Sequence, residues 1–442
     1  MQYVIIGNSA AGIGAVEGIR RVDRANPIIL VADEPYPTYS RPLISYYLEG
    51  RIEETGMGYR PPGFYTENGV TTRLETKVER IDTELGQVVL DTGELLPYDR
   101  LLLAAGSRPV VPPIKGIDTE GVYFFNRFDD VRALRSQVRH GCRAAVVGAG
   151  LTGLKAAEAL AHLGLRVTVA DISPFVLSTI LDATGAEIVR GHLEESGVHF
   201  LLGTPAVGVT GIPAAVAGMK DEWKNLKEKY RKVLVRENRV DSLVFTDGFA
   251  VPVDVVILAT GVRPNLEIVE GSGIAVNQGI LVDERLQTNI PGIYAAGDIS
   301  EGWDLVTRER RVIATLPNAY KQGEVAGINM AGGNAEYPGG MQMNSVNFFG
   351  LSIATAGLSN VDDPALEVVT RVDSAHRVYR RMTLRDGRLV GFICIGDVGR
   401  AGILTALIRN GVPVGGWEER LLEGDFGIID LPVEVRRNWQ LA

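Results

Sequence analysis

Two cysteines in 442 residues, Cys142 and Cys394, stand far apart and in neither C-x-x-C nor C-x-x-x-x-C spacing. That pattern offers no ligand set for an iron–sulfur cluster or a cysteine zinc site within this chain, and it leaves two thiols that read as small buried hydrophobes. Histidine is equally scarce. The five residues, at 140, 162, 192, 199 and 376, show no H-x-x-x-H spacing and no companion cluster of carboxylates, so no metal site is expected. No run of about 18 apolar residues, the length a membrane-spanning helix needs, occurs in the sequence. Basic charge is in deficit too: 45 Lys and Arg against 54 Asp and Glu leave a net charge of -9, which argues against a nucleic-acid surface. The first strand-like run begins at Tyr3, leaving no room for a targeting segment ahead of it, and a cytoplasmic location is expected. The length suggests roughly three domains.

What is present is a repeat. "YVIIGNSAAG" (3 to 12) and "AAVVGAGLTG" (144 to 153) each run a β-branched apolar stretch into a glycine-rich turn and an alanine-rich helical pattern. Each is followed about a hundred residues later by a paired signal, "LLLAAGSRP" (101 to 109) and "VILATGVRP" (256 to 264). A nucleotide pyrophosphate needs the free N–H groups of a helix N-terminus and a backbone without Cβ atoms in the way. Gly148, Gly150 and Gly153 fill all three positions of G-x-G-x-x-G, whereas in the first copy Gly7 and Gly12 fill the outer two and Ser9 the middle one. Two such turns in strand–helix context point to two bound dinucleotides.

The acidic residue ending the next strand tests which nucleotide each turn holds. In the second unit Asp171 of "LRVTVADIS" lies 23 residues after Gly148 and no arginine directly follows it, so NAD is favoured over NADP. In the first unit "IILVADE" offers both Asp33 and Glu34, and the sequence does not choose between them.

A third signal, "TNIPGIYAAGDIS" (288 to 300), resembles the second flavin-binding motif of the FAD-dependent pyridine nucleotide-disulfide oxidoreductases. Together with "LLLAAGSRP", "LATGVRPN" and "PNAYKQGEVAGINM" the resemblance covers about the first 330 residues. It implies an α/β fold with two Rossmann-like domains, one for FAD and one for NAD, and a C-terminal α+β interface domain. The boundaries implied are FAD at 1–110 and again at 250–330, NAD at 111–249, and interface or dimerisation at 331–442. For FAD it implies contacts from Gly7, Ser9, Ala10, Ala11 and Gly12, from Asp33 or Glu34, and from Val78, Ala105, Gly106 and Arg127. Gly297, Asp298 on the ribityl chain, and Pro317 complete that set. For NAD it implies Gly148, Gly150, Thr152, Gly153, Asp171 and Gly261. The residues themselves support this outline. In "TLPNAYKQGEVAG" a proline opens a helical pattern, and such an N-terminus aimed at an isoalloxazine would stabilise the reduced, anionic ring. Between 341 and 442 strand and turn signals alternate, with a hairpin expected around Asp386-Gly387.

Departures from the family pattern narrow the chemistry. The peroxidase-like and coenzyme A-disulfide-reductase-like members place a reactive cysteine at the position of Pro42 and a histidine at that of Ala10, so thiolate attack on a disulfide or peroxide is not available here. "YSRPLISYYL" (39 to 48) instead resembles the branch of ferredoxin and rubredoxin reductases, NADH oxidase-like proteins and the flavin portion of nitrite reductase. The resemblance sets Arg41 and Pro42 along the flavin, while a lysine found in some of these reductases four residues after the proline is Tyr46 here. Lys155 of "GLTGLKAAEAL" stands where disulfide reductases usually carry a glutamate beside the nicotinamide. A cation there opposes the helix dipole, so two readings stand: a carboxylate partner across the domain interface, or contact with NAD phosphate or flavin.

From Gly7 to Gly106 is 99 residues and from Gly148 to Gly261 is 113, and the excess contains "MKDEWKNLKEKYRKVLVRE" (219 to 237), with seven basic and four acidic residues. Its apolar spacing predicts a helix on the NAD domain, a solvated face or a dock for an acidic iron–sulfur partner. The function expected is electron transfer between NAD(H) and a separate redox protein such as a ferredoxin, through FAD. The alternatives are an NADH oxidase reducing O₂, a nitrite reductase flavin subunit, or the FAD/NAD subunit of a complex oxidising aldehyde, carbon monoxide or formate. A homodimer or a hetero-oligomer subunit is expected.

Overall fold

The computed structural model describes residues 1–211, 239–431, 433 and 436. Its first sheet is parallel, with strands in the spatial order Ile293–Ala295, Arg100–Leu103, Tyr3–Ile6, Ile28–Val31 and Val70–Arg73. All four residues of Tyr3–Ile6 are buried, as a strand covered on both faces requires, which is why it reads as an unbroken apolar run. A second parallel sheet repeats the arrangement with Val198–Leu202, Arg166–Asp171, Arg143–Val147, Val255–Leu258 and Val122–Phe124. Ahead of its late central strand each unit carries a three-stranded antiparallel sheet: Val78–Asp82, Gln87–Leu90 and Leu95–Pro97 in the first, Ala206–Thr210, Ser242–Phe245 and Ala250–Pro252 in the second. The basic segment 219 to 237 falls between the first two strands of the latter and lies outside the described residues.

The paired signals of the repeat meet each other. Ser107–Pro109 and Val262–Pro264 form a two-stranded antiparallel sheet in which Arg108 faces Arg263, so the two A-x-G-x-R-P segments make the link between the parallel sheets.

Beyond residue 340 a five-stranded antiparallel sheet runs Met343–Phe348, Leu351–Gly357, Arg388–Ile395, Val378–Arg385 and Glu367–Asp373. The expected hairpin is there, with Asp386 and Gly387 both left-handed at φ 50° and 65°, the conformation a two-residue I′ turn demands. Helix Ala401–Arg409 covers this sheet with Leu404 and Leu407 fully buried. Among the described residues no helix is long and apolar enough to cross a membrane.

Candidate functional site: two dinucleotide cradles

The first cradle starts where Tyr3–Ile6 ends. Gly7 has φ 120°, and a Cβ on Gly12 would stand 2.0 Å from the Gly7 carbonyl oxygen, so the turn can tighten onto helix Ala10–Val22 only with glycine at both places. Ser9 is the N-cap, and its hydroxyl makes no cap bond, which leaves both it and the first N–H groups of the helix available to an anion. Ala10 and Ala11 are buried in that first turn. This helix packs unusually close to Leu316–Met330: a Cβ on Gly14 would lie 2.3 Å from the Tyr320 carbonyl, and one on Gly323 1.9 Å from that of Ala11.

Helix Leu316–Met330 opens with Pro317 in its first turn, behind an extended Thr315 that makes no side-chain cap bond. Thr315 Oγ1 is buried with no hydrogen-bond partner among the described residues. Asp298 lies just after strand Ile293–Ala295, where its Oδ2 accepts the Ser107 hydroxyl at 2.7 Å. Gly297 N donates to the buried Gln322 Oε1 at 2.8 Å, fixing the turn that presents Asp298. Gly106, at φ 66°, borders open space, and the neighbouring Ala105 carbonyl accepts Asn265 Nδ2 at 2.7 Å. Pro42 and Pro317 are both exposed. A cradle closed to Cβ atoms, an uncapped helix start, an orphaned hydroxyl and exposed prolines are the features an FAD-shaped ligand would complete, so the residues fit that cofactor.

The stretch 39 to 48 is folded more than a loop would be. Arg41–Leu43 is a 3₁₀ turn leading into helix Ile44–Glu49, with Pro42 at the start, where its missing N–H costs nothing. Arg41 does not stand free: its Nη2 pairs with Glu34 Oε1 at 2.7 Å and its Nη1 donates to the Asn126 carbonyl at 3.1 Å. Glu34 Oε2 accepts the Tyr39 hydroxyl at 2.7 Å, and burial, with that carboxylate beside it, pushes the Tyr39 phenol well above its ordinary value. Asp33 is half-exposed and, among the described residues, paired only with Arg127, which is itself the N-cap residue of helix Phe128–Gln137. Val78 opens its strand as a buried residue, brought near the 32–34 segment by Thr76 N donating to the Ala32 carbonyl.

The second cradle copies the first. Gly148 has φ 114°, and a Cβ on Gly153 would lie 1.9 Å from its carbonyl oxygen, whereas a Cβ on Gly150 would meet nothing within 4 Å. Thr152 is exposed in the first turn of Leu151–His162. Asp171 Oδ2 accepts Ala149 N at 2.6 Å and Oδ1 accepts Ser173 N at 2.7 Å, which sets the carboxylate at the mouth of the glycine turn with lone pairs to spare. Gly261 (φ 90°) also faces open space.

Lys155 finds its carboxylate on its own helix and not across an interface. Its Nζ pairs with Glu158 three residues on, a spacing legible in the sequence. The same ammonium donates to the Asn347 carbonyl of the C-terminal sheet at 3.2 Å and lies 5.1 Å from the Tyr46 ring centroid. Glu158 Oε1 in turn accepts Phe349 N at 2.6 Å. Lys155 thus joins the NAD-side helix, the 44–49 helix and the hairpin tip at Phe348–Phe349, a junction the sequence did not signal.

Neither thiol is near these cradles. Cys394 is buried within strand Arg388–Ile395, and burial pushes its thiol up to about 12, while Cys142 precedes Arg143–Val147. Among the described residues no group of three or more His, Cys, Asp or Glu is placed to hold a metal ion.

Comparison with known proteins agrees with this geometry. The family model described as "Pyridine nucleotide-disulphide oxidoreductase" matches residues 1–323, and that of the "Rubredoxin NAD+ reductase C-terminal domain" matches 343–412. The chain is 32% identical over 412 residues to the assimilatory nitrate reductase electron transfer subunit of Bacillus subtilis (strain 168), covering 92% of this chain and 49% of that protein. It is 31% identical to the NADH-dependent phenylglyoxylate dehydrogenase subunit epsilon of Aromatoleum evansii, covering 92% and 91%. It thus spans about half the length of the first of these relatives and nearly all of the second. The structure of a covalent putidaredoxin reductase–putidaredoxin complex matches in fold with TM-score 0.83 at 24% identity, covering 100% of this chain and 99% of that one. The chain belongs to the pyridine nucleotide-disulphide oxidoreductase family, whose cofactors are FAD and NAD(H).

Proposed function

We propose that this chain is a cytoplasmic flavoprotein that moves electrons between NAD(H) and a separate iron–sulfur protein or subunit, without a redox-active disulfide. One observation carries the reading: position 42, where thiol-bearing members of the family place a cysteine, is proline, and the two thiols lie elsewhere, Cys394 inside a sheet. FAD, when bound, accepts hydride and can release electrons singly.

The chain's residues bind and orient. On this reading the segments 1–110 and 250–330 hold FAD, 111–249 holds NAD(H), and 331–442 forms the interface. The turn Gly7 to Gly12 with Ser9, Ala10 and Ala11 takes the FAD pyrophosphate. Gly106, Gly297 and Asp298, the last steadied by Ser107, align the ribityl chain, with Ala105 and Val78 walling the site. Asp33 accepts from the adenosine ribose: among the described residues its carboxylate is engaged at Oδ2 alone, by Arg127, whereas each oxygen of Glu34 already accepts one bond, from Arg41 and from Tyr39. Pro42 lies along the flavin ring and Arg41, tied to Glu34 beside Asp33, toward the pyrophosphate, while the N-terminus behind Pro317 favours negative charge on the ring. Gly148, Gly150, Thr152 and Gly153 receive the NAD pyrophosphate, Asp171 its ribose, and Gly261 leaves room beside the nicotinamide. Lys155 borders that space as a cation held by Glu158.

The nitrate reductase and phenylglyoxylate dehydrogenase relatives are named as subunits of larger enzymes, which supports a partner that is a separate polypeptide. Anaerobic reduction with NADH followed by addition of rubredoxin or ferredoxin, or of O₂, tests the reading. Fast transfer to the iron–sulfur protein and slow turnover with O₂ are expected. Fast O₂ consumption with no protein acceptor reduced would make the chain an oxidase.

A further inference from the structure

The hairpin of Ser300–Trp303 and Arg310–Arg311 is tied to the proposed flavin site at both ends. It begins two residues after Asp298 and ends four residues before Thr315, the residue that precedes helix Leu316–Met330. Three residues of its first strand are buried and the fourth, Trp303, is 37% exposed. Trp303 pairs with Arg310 across the hairpin, and the Arg310 guanidinium lies over the indole at 5.3 Å while its Nη1 donates to the Val282 carbonyl at 2.6 Å. The cation is therefore already placed on the ring.

The loop between the strands is also set. Arg308 at its tip is left-handed at φ 61° and exposed, and its N–H donates to the Asp304 carbonyl. Asp304 is buried, and its carboxylate is occupied by Val306 N at 2.7 Å, Thr307 N at 3.1 Å and Arg311 at 3.4 Å. On the solvent side Arg308, Arg310 and Arg311 stand exposed on one short hairpin with Glu309 between them, a cluster of three guanidinium groups on a chain of net charge -9. Its outer surface combines the residue types that dominate binding hot spots, an aromatic ring and guanidinium groups, on a hairpin whose backbone is already ordered.

We propose that the Trp303–Arg308–Arg310–Arg311 face is where an acidic iron–sulfur protein docks to exchange electrons. The inference rests on the electron-transfer reading given above. With neither thiol nor cluster to relay electrons, the partner has to seat beside the elements that hold the flavin, and this hairpin is built from their ends. Opposite charge on the partner would speed encounter and fix orientation, and the indole would supply the apolar contact at the centre.

The test uses the full-length holoenzyme, an acidic plant-type [2Fe–2S] ferredoxin and, as a small acceptor, a neutral quinone. Trp303→Ala and Arg308→Glu should each raise the KM for ferredoxin by about tenfold, and Arg308→Glu should flatten its salt dependence, with NADH:quinone turnover unchanged. A KM within twofold of wild type for both variants overturns the proposal. So does a loss of self-association by sedimentation with ferredoxin reduction unaltered, because the face would then seat a second copy of this chain. A wild-type protein that reduces neither ferredoxin nor rubredoxin sinks the electron-transfer reading itself, whereas wild-type transfer with unaffected variants removes only this surface.

Discussion

Gly150→Ala separates the space a cofactor needs from the space the fold needs. Gly150 is the N-cap of helix Leu151–His162 with φ −78° and ψ −178°, an extended conformation any residue adopts. A methyl placed there meets nothing within 4 Å, while the same methyl on Gly153 would sit 1.9 Å from the Gly148 carbonyl oxygen. Alanine at an N-cap costs up to about 1 kcal/mol, and its stiffer unfolded chain returns about 0.4–1 kcal/mol, so the variant should fold with nearly wild-type stability. If the empty volume is where the NADH pyrophosphate approaches the backbone, the methyl crowds that approach by about 1–3 kcal/mol. At 1.4 kcal/mol per decade this is a rise in NADH Kd of about 5- to 150-fold. The concentration dependence of flavin bleaching in anaerobic stopped flow reads the Kd, and thermal unfolding reads the fold. Gly153→Ala serves as the contrasting variant and should fail in stability first. An unchanged Kd in a stably folded Gly150→Ala protein would refute the placement of NADH in this turn.

Three further outcomes follow from the geometry. Glu158→Gln should raise hydrogen exchange at the 347–351 hairpin tip by about tenfold, since the Phe349 N–H and the Lys155 ammonium both lose a charged acceptor worth about 1.5 kcal/mol or more; exchange equal to wild type would mean the tip is held by other contacts. Asp171→Ala combined with Ile172→Arg, at a position already 74% exposed, should lower kcat/KM for NADH and raise it for NADPH, each by about tenfold or more; retained NADH preference would remove Asp171 from the ribose site. The Arg143 guanidinium on Asp254 holds that carboxyl below its ordinary value. A lowered carboxyl stabilises the fold fully above its unfolded pKa, about 4, and that stability is lost as pH falls through the lower folded value. The stability gap between wild type and Asp254→Asn in urea should therefore close below about pH 4, and a gap constant from pH 7 to pH 3 would contradict it.

Sequence reading reached those parts of the fold in which one residue type has one physical reason to be there. Gly7 with Gly12 and Gly148 with Gly153 are forced by backbone approach, Asp386-Gly387 by turn geometry, and Pro317 by a helix start; all are local, and all stand where the sequence pointed. Contacts set by tertiary closure were not legible. That Ser107–Pro109 would pair with Val262–Pro264 depends on residues far apart in the chain meeting in space, and that Glu34 would accept from Arg41 and Tyr39 depends on how the irregular 32–40 segment folds back on itself. Lys155 is the intermediate case. Its partner Glu158 lay three residues away on the same helical face, but the helix-dipole argument directed attention across the interface, where the ammonium finds the Asn347 carbonyl and the Tyr46 and Phe348 rings and no carboxylate among the described residues.

Segment 39–48, which the family resemblance sets along the flavin, is folded as a 3₁₀ turn and a short helix, with Pro42 exposed at its start and Arg41 anchored to Glu34. Proline there, with Cys394 buried in a distant sheet and its thiol pushed up to about 12, makes the central claim countable. Anaerobic titration of the FAD-loaded protein with NADH should bleach the flavin fully at about one equivalent per chain and consume no more. A second equivalent taken up, with new thiols appearing by titration, would show a redox-active disulfide and contradict the account.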